Sequence, residues 1–215
     1  KPLKKGQIYD SNRYTLFGML TQLEVGIMDL GVIQDDFQSI RSALLGAAEK
    51  ADLVITTGGV SVGQADFIKT ALEDIGQPDF WKIAIKPGRP LTFGKINDSL
   101  FIGLPGNPVA VMVTFNHFVI PALRKLSGAR PTQAPVVRAT SIEKMRKRAG
   151  RMEIQRGIAS LTVDGRWQVC KTGKQGSGIL TSMTRGNCFI LLREDSNGVE
   201  IGDSIEIQLF DWSQV

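Results

Sequence analysis

Apolar and polar positions follow two different periods along this chain, and the change of period divides it. Up to about Ser127 helical and strand-like patterns take turns; beyond Pro135 short period-two runs dominate. After Ser11-Asn12, the residues Tyr14, Phe17, Leu20 and Leu23 recur at helical spacing, which predicts a helix over 13–23 with that face inward. The run 25–33, VGIMDLGVI, reads as a buried strand and its exit. Asp36 is placed to cap a helix over 37–50 with Ile40, Leu44, Ala47 and Ala48 inward. A strand over 52–57 follows, then a helical pattern of Phe67, Ile68, Ala71, Leu72 and Ile75. The run 80–86, FWKIAIK, alternates as one strand. Residues 91–96 and 99–103 read as a hairpin over Asn97-Asp98, and a long apolar helix runs from Pro108 to about Ser127, with Pro121 expected to kink or shorten it. The later part predicts strands at 136–140, 152–160, 167–172, 188–193 and 204–210, with turn signals at Asp164-Gly165 and Asn197-Gly198. The pattern therefore predicts an α/β domain over residues 1–132 and a small antiparallel barrel or sandwich over 133–215.

Composition narrows the class. A length of 215 residues suits one large or two small domains. No run of eighteen apolar residues occurs, so no membrane span is expected, and Lys1–Gly6 lacks the apolar region of a signal peptide. Cys170 and Cys188 form no CxxC or Cys/His pair and read as core thiols in a reducing cytoplasm. The net charge is +5, with one dense basic run from Lys144 to Arg148 and Arg151 just after. That run reads as a solvated loop or as an attractor of an anionic ligand. Without an RNP motif or an aromatic platform, nucleic acid is not an expected partner. The single histidine, His117, lies among apolar residues and reads as structural, which leaves carboxylates, lysines and backbone amides for any chemistry.

The stretch 56–67, TTGGVSVGQADF, places a glycine-rich turn between a strand and a helix. Such a turn brings backbone N–H groups and a helix N-terminus to an anion, although ordinary strand-to-helix turns also carry glycines. Asp66 beside it would repel a phosphate unless a cation intervenes, which suggests Mg²⁺. Asp35, expected just past a strand end, is a second acidic candidate. Lys82 and Lys86 are expected on one face of a strand, and Arg89 in the turn Pro87-Gly88-Arg89-Pro90 adds a third cation. Together they form either a polyanion clamp or a solvated edge. The run 103–108, GLPGNP, supplies a second glycine-rich turn, with Asn107 as cap and Pro108 in the first helical position. The loop 173–178, GKQGSG, lacks the strand-to-helix setting and is a weaker phosphate contact.

The motifs GQIYDSN, LGVIQDD, TTGGVSVGQADF, WKIAIKPGRPLTFG and GLPGNPV, in this order, resemble those of the molybdopterin molybdotransferases, the molybdenum insertases that include the gephyrin E domain. Arg151-Met152-Glu153, Arg156-Gly157 and residues 175–178 resemble the same family's C-terminal barrel. The resemblance implies an open, mostly parallel sheet with helices on both faces, followed by a small antiparallel β-barrel. It implies insertion of molybdate into adenylylated molybdopterin with release of AMP. Asp35 and Asp66 would be catalytic and linked to Mg²⁺ or molybdate, and Lys82 and Lys86 would be catalytic anion binders. Thr57, Gly58, Gly59, Ser61, Gly63, Arg89, Pro105, Gly106, Asn107 and Pro108 would bind the pterin substrate. A homodimer is implied, with molybdopterin adenylyltransferase and molybdoenzymes as protein partners. The family's N-terminal half and the first strand of this domain do not appear in the sequence, so the sheet is expected to lack a strand. Rival readings are a molybdopterin adenylyltransferase, which shares the GGVSVG-type loop but lacks the barrel and the KPGRP segment, and a non-catalytic ligand or peptide scaffold.

Overall fold

The structure is a computed structural model that describes residues 8–59, 67–129 and 134–210, with backbone alone at 80–82. The α/β part is built on a four-stranded sheet in the order β1 (Leu53–Thr57), β5 (Ser99–Leu104), β4 (Pro90–Ile96), β2 (Gln77–Lys82). β1 and β5 are parallel; β5–β4 and β4–β2 are antiparallel. The described sheet is thus mixed rather than mostly parallel, because the tight Asn97-Asp98 turn, with Asn97 at φ 53°, folds β4 and β5 into a hairpin.

Period-two alternation sends the two faces of this sheet to different cores. Val54 and its partner Phe101 join Ile96 under α2 (Phe37–Ala48) and α3 (Phe67–Ile75), which contribute Ile40, Leu44, Ala71 and Leu72. Leu53, Ile55 and Ile102 face α1 (Asn12–Thr21) and the long helix that begins with α4 (Pro108–Thr114). The helices therefore cover both faces as expected, and Asp36 caps α2 by accepting from the Ser39 N–H at 2.9 Å.

Three expected elements differ. Val25–Ile33 forms no strand, and Met28, Leu30 and Val32 are exposed. An extended segment needs ladder partners for its N–H and C=O groups, and no described strand pairs with this one. Its fastening is instead the Arg13–Asp29 ion pair and the Gly31 N–H on Asp29. In α1 the buried residues are Leu16 and Met19, whereas Tyr14 and Phe17 are exposed, because the contact with α4 decides the inward face of a helix whose apolar residues are spread around it. The run 80–86 is not one strand: β2 ends at Lys82, and β3 (Ile85–Lys86) belongs to a different sheet.

The long helix runs Pro108–Leu126 and is long and apolar enough to cross a membrane by composition, yet Val109 to Phe115 are all buried in the core. Pro121 does not end it. A π-helical turn over Phe115–Val119, in which the Ile120 N–H reaches the Phe115 carbonyl, precedes the proline, and α5 (Ile120–Leu126) continues beyond it. The wider turn makes room upstream of the proline ring, which would otherwise press on the carbonyl four residues back.

The second part is a closed five-stranded barrel. β6 (Val136–Ser141), β8 (Met152–Leu161), β9 (Trp167–Lys171), β10 (Cys188–Leu192) and β12 (Ser204–Leu209) are ordered β10-β12-β6-β9-β8, and β8 pairs back onto β10. A small β7–β11 pair (Met145–Arg146 with Gly198–Val199) and a short α6 (Thr181–Arg185) complete it. Two devices bind the barrel to the α/β part. β3 lies parallel to β8, with Lys86 beside Glu153. The largest core runs from Leu16 and Met19 through Val111, Val113 and Phe115 to Ile154, Met183, Phe189 and Leu191 of the barrel.

The basic run is largely spent on the barrel itself. Lys147 is buried, and its ammonium donates to the carbonyls of Arg148, Glu194 and Ser196 at 3.3, 3.2 and 2.9 Å. Lys144 pairs with Glu200. His117 is structural as expected: its Nδ1 lies 2.8 Å from the Val113 carbonyl and its ring meets Phe189 at 5.3 Å.

Candidate functional site

A cavity of about 810 Å³ opens where the C-terminal ends of β1 and β5 meet the barrel. Its wall comes from three segments of the α/β part: Gly58-Gly59, the turn Lys86–Pro90, and Pro105–Asn107 with Ala110. The barrel adds Glu153, Ile154, Arg156 and the loop Gln175–Ser177.

The first two glycine turns meet because one strand pair carries both. The Gly58 N–H donates to the Leu104 carbonyl, and Thr57 Oγ1 donates to the Pro105 carbonyl at 3.1 Å. Asn12 Nδ2, at the start of α1, reaches both Thr57 Oγ1 and the Gly106 carbonyl at 2.8 Å. Thr57 and Asn12 thus lock the two turns together from behind, and Thr57 is not part of the wall. Glycine is required at 59, where φ is +67° and a Cβ would lie 2.4 Å from Ile68 Cδ1. It is required again at 88, where φ is +109° and a Cβ would lie 2.6 Å from Thr114 Cγ2. Asn107 occupies the cap position of α4 but makes no side-chain cap bond, and Pro108 lies outside the wall. The Val109 N–H is instead taken by the Ser177 carbonyl of the barrel loop at 3.0 Å.

That loop is a seam between the domains. The Gln175 amide bonds the backbone of Arg156 in both directions, Oε1 accepting from its N–H at 2.8 Å and Nε2 donating to its carbonyl at 3.0 Å. Arg156 itself is 1 % exposed, with Nε donating to Ser182 Oγ at 2.9 Å and a terminal nitrogen to the Gly176 carbonyl at 3.2 Å. Burial pushes its guanidinium down to about 10, and the charge of Glu153 works against that fall; it remains protonated at neutral pH. Lys86 Nζ lies 3.3 Å from Glu153 Oε1, and Arg89 is exposed with no ion-pair partner among the described residues.

Seven residues expected at the site line this cavity: Gly58, Gly59, Lys86, Arg89, Pro105, Gly106 and Asn107. Ser61, Gly63 and Asp66 lie outside the described residues, as does the side chain of Lys82. The shared strand face expected for Lys82 and Lys86 does not exist, because the chain changes sheet between them. Asp35 is exposed and is not among the described wall residues; the segment before it is not a strand, so it does not sit at a strand's C-terminal end. The described carboxylates do not fit Mg²⁺. Glu153 is the one acid in the described wall, engaged by Lys86 and Gln155, and no group of three His, Cys, Asp or Glu side chains is placed to hold a metal among the described residues. On the barrel side the loop 173–178 reaches the wall, as its glycines allow, whereas nothing in the spacing around Glu153, Ile154 and Arg156 marks them as wall residues. An arginine inside an alternating strand looks like any outward-facing residue until the 173–178 loop and Ser182 close over it.

Residues 2–125 match the family model described as a probable molybdopterin binding domain, and residues 138–210 match the MoeA C-terminal region, domain IV. A molybdopterin molybdenumtransferase from Haemophilus influenzae is 43% identical over 98% of this chain and 52% of its own length. Gephyrin from Dictyostelium discoideum is 32% identical over 95% of this chain and 33% of its own length. A molybdopterin biosynthesis MoeA protein from Pyrococcus horikoshii OT3 superposes with a TM-score of 0.75 at 28% identity, covering 98% of this chain and 50% of that one. The chain thus spans about half the length of such relatives or less. With both domain types matched in order, and a cavity walled by the two together, the chain belongs to the MoeA-type molybdopterin molybdenumtransferase family.

Proposed function

We propose that this chain forms the substrate-binding part of an enzyme that inserts molybdate into adenylylated molybdopterin and releases AMP. The observation that carries the reading is the composition of the cavity. Two glycine turns at strand ends offer close backbone approach, and three cations, Lys86, Arg89 and Arg156, converge from two domains on a space large enough for a nucleotide-sized anion. As the P–O bond of the phosphoanhydride breaks, negative charge grows on the departing phosphate oxygens. Fixed cations and N–H dipoles in a partly enclosed site are suited to stabilise that charge. Arg156 is held rigidly by Ser182, Gly176 and Gln175, which suits it to orient an oxyanion, whereas Lys86 and Arg89 are exposed and adjustable. Lys82, Ser61, Gly63 and Asp66 are assigned to the same site from the sequence resemblance.

The same reading includes a homodimer, supported by the exposed apolar side chains Tyr14 and Phe17 of α1 and Val32. It also includes a cytoplasmic setting, supported by two free cysteines, with molybdopterin adenylyltransferase upstream and molybdoenzymes downstream as partners. AMP release from adenylylated molybdopterin, measured with and without molybdate, tests the activity. Release should require molybdate and should be abolished by Asp66→Asn in a folded protein. Adenylate formation from ATP would instead identify an adenylyltransferase, and binding without turnover a scaffold.

A further inference from the structure

Among the described residues that wall the cavity, Glu153 is the one negative charge facing three positive ones. A carboxylate there opposes the binding of any anion, so its presence calls for a reason. Its position is not incidental. Parallel pairing of β3 with β8 sets Lys86 directly beside Glu153, and Glu153 Oε1 accepts from Lys86 Nζ at 3.3 Å. The same oxygen accepts from Gln155 Nε2 at the shorter distance of 2.9 Å. The Lys86 side chain is 56% exposed, that of Glu153 13%, and Gln155 as a whole only 3%. Glu153 is therefore anchored from the barrel side, and Lys86 is the partner free to leave.

Gln155 strengthens the point. Its Oε1 is buried with no hydrogen-bond partner among the described residues. Reversing the amide would set that oxygen against the Glu153 carboxylate, so the orientation is dictated by Glu153. A leucine or methionine would fill the place without leaving an acceptor unsatisfied. The amide thus carries a stability cost whose one visible return is a fixed Glu153.

Resting on the reading of the cavity as a polyanion site, we propose that Glu153 is its internal counter-charge and a specificity determinant, with Gln155 as its positioning residue. In the empty site it neutralises Lys86. A singly bridging anion gains too little to displace it, whereas a diphosphate reaches Arg156 and Arg89 as well and draws Lys86 away. The carboxylate thereby discriminates against small free anions such as orthophosphate.

Calorimetric titration of purified protein with orthophosphate and with inorganic pyrophosphate tests this. Glu153→Gln should bind orthophosphate about two- to fivefold more tightly, the scale of a partly exposed charge pair, and narrow the preference for pyrophosphate. Gln155→Met should shift both in the same direction by a smaller factor. Glu153→Asp keeps the charge and should stay near wild type. In a Lys86→Met background the part of the Glu153→Gln gain that comes from freeing Lys86 is lost while the direct repulsion remains, so the two substitutions should be non-additive, a coupling that a merely structural role for Glu153 would not produce. Strict additivity of the Lys86→Met and Glu153→Gln effects, or orthophosphate affinity unchanged in both Glu153→Gln and Gln155→Met while wild type binds, overturns the role of Glu153 alone. If neither anion binds wild type or any variant, the anion-site reading itself fails.

Discussion

Replacing Arg156 by methionine separates a site residue from a structural clamp. The guanidinium is almost completely buried, and burial lowers it to about 10. At about 1.36 kcal/mol for each tenfold change in proton affinity, keeping it charged there costs roughly 3 kcal/mol. Against this stand its bonds to Ser182 Oγ and the Gly176 carbonyl, each about 1.5–3 kcal/mol for a charged donor. The terms nearly cancel. Methionine fills similar space, and Ser182 Oγ keeps its own bond to the Ile179 carbonyl at 2.7 Å, so the Gly176 carbonyl is the one Arg156 acceptor left short. Arg156→Met should therefore lie within about 2 kcal/mol of wild type in urea unfolding, a melting shift of no more than roughly 4–8 °C for a chain of this length. Pyrophosphate affinity should fall at least about tenfold, because the removed charge is the desolvated one. Calorimetric titration beside denaturation curves measures both. A loss of stability beyond about 4 kcal/mol with unchanged affinity would refute the reasoning and make Arg156 a clamp for the 173–178 loop.

Two further outcomes test the scaffold. Burial lowers the His117 pKa, with the bond to the Val113 carbonyl opposing, so the unfolded chain binds the extra proton more readily than the folded one. Stability from the neutral ring is complete above the ordinary value of about 6.5 and falls as pH drops below it, by at most about 1.4 kcal/mol per pH unit; His117→Gln should flatten that part of a pH–stability curve. Lys147→Met removes three ammonium-to-carbonyl bonds, two of which tie the 193–198 turn to the segment after β7, and should cost about 2–3 kcal/mol in urea unfolding while leaving pyrophosphate affinity unchanged.

Local sequence was enough where a pattern answers to its own neighbours. The five barrel strands lie within a residue or two of their expected positions because period-two alternation and the turn at Gly165 are local properties, although Gly198, expected in a turn, pairs with Arg146 in the short β11. Asp36 caps α2 for the same reason. The two glycine turns at 58–59 and 105–107 were legible as cradle walls because strand ends and glycines announce them. Local pattern failed where an outcome depends on what lies opposite. VGIMDLGVI has the residues of a strand, but no described ladder receives it. The face of α1 was misjudged because Tyr14 and Phe17 keep helical spacing as well as Leu16 and Met19 do. FWKIAIK alternates without a break, and nothing in its residues says that two sheets share it.

The sequence by itself determined the family, the order of the two domains, the barrel strands and the glycine turns, since each is carried by short-range spacing. Tertiary structure decided which side chains share the cavity. Lys86 and Glu153 are 67 positions apart, and Asn12 and Gly106 are 94 apart. Such pairs meet only because β3 leaves its own sheet for β8 and because α1 returns to the end of β1. Burial of Arg156 likewise follows from the barrel's own loop 173–178 and α6 folding over β8, which bring Gln175, Gly176 and Ser182 onto it, a consequence of packing that no local periodicity encodes.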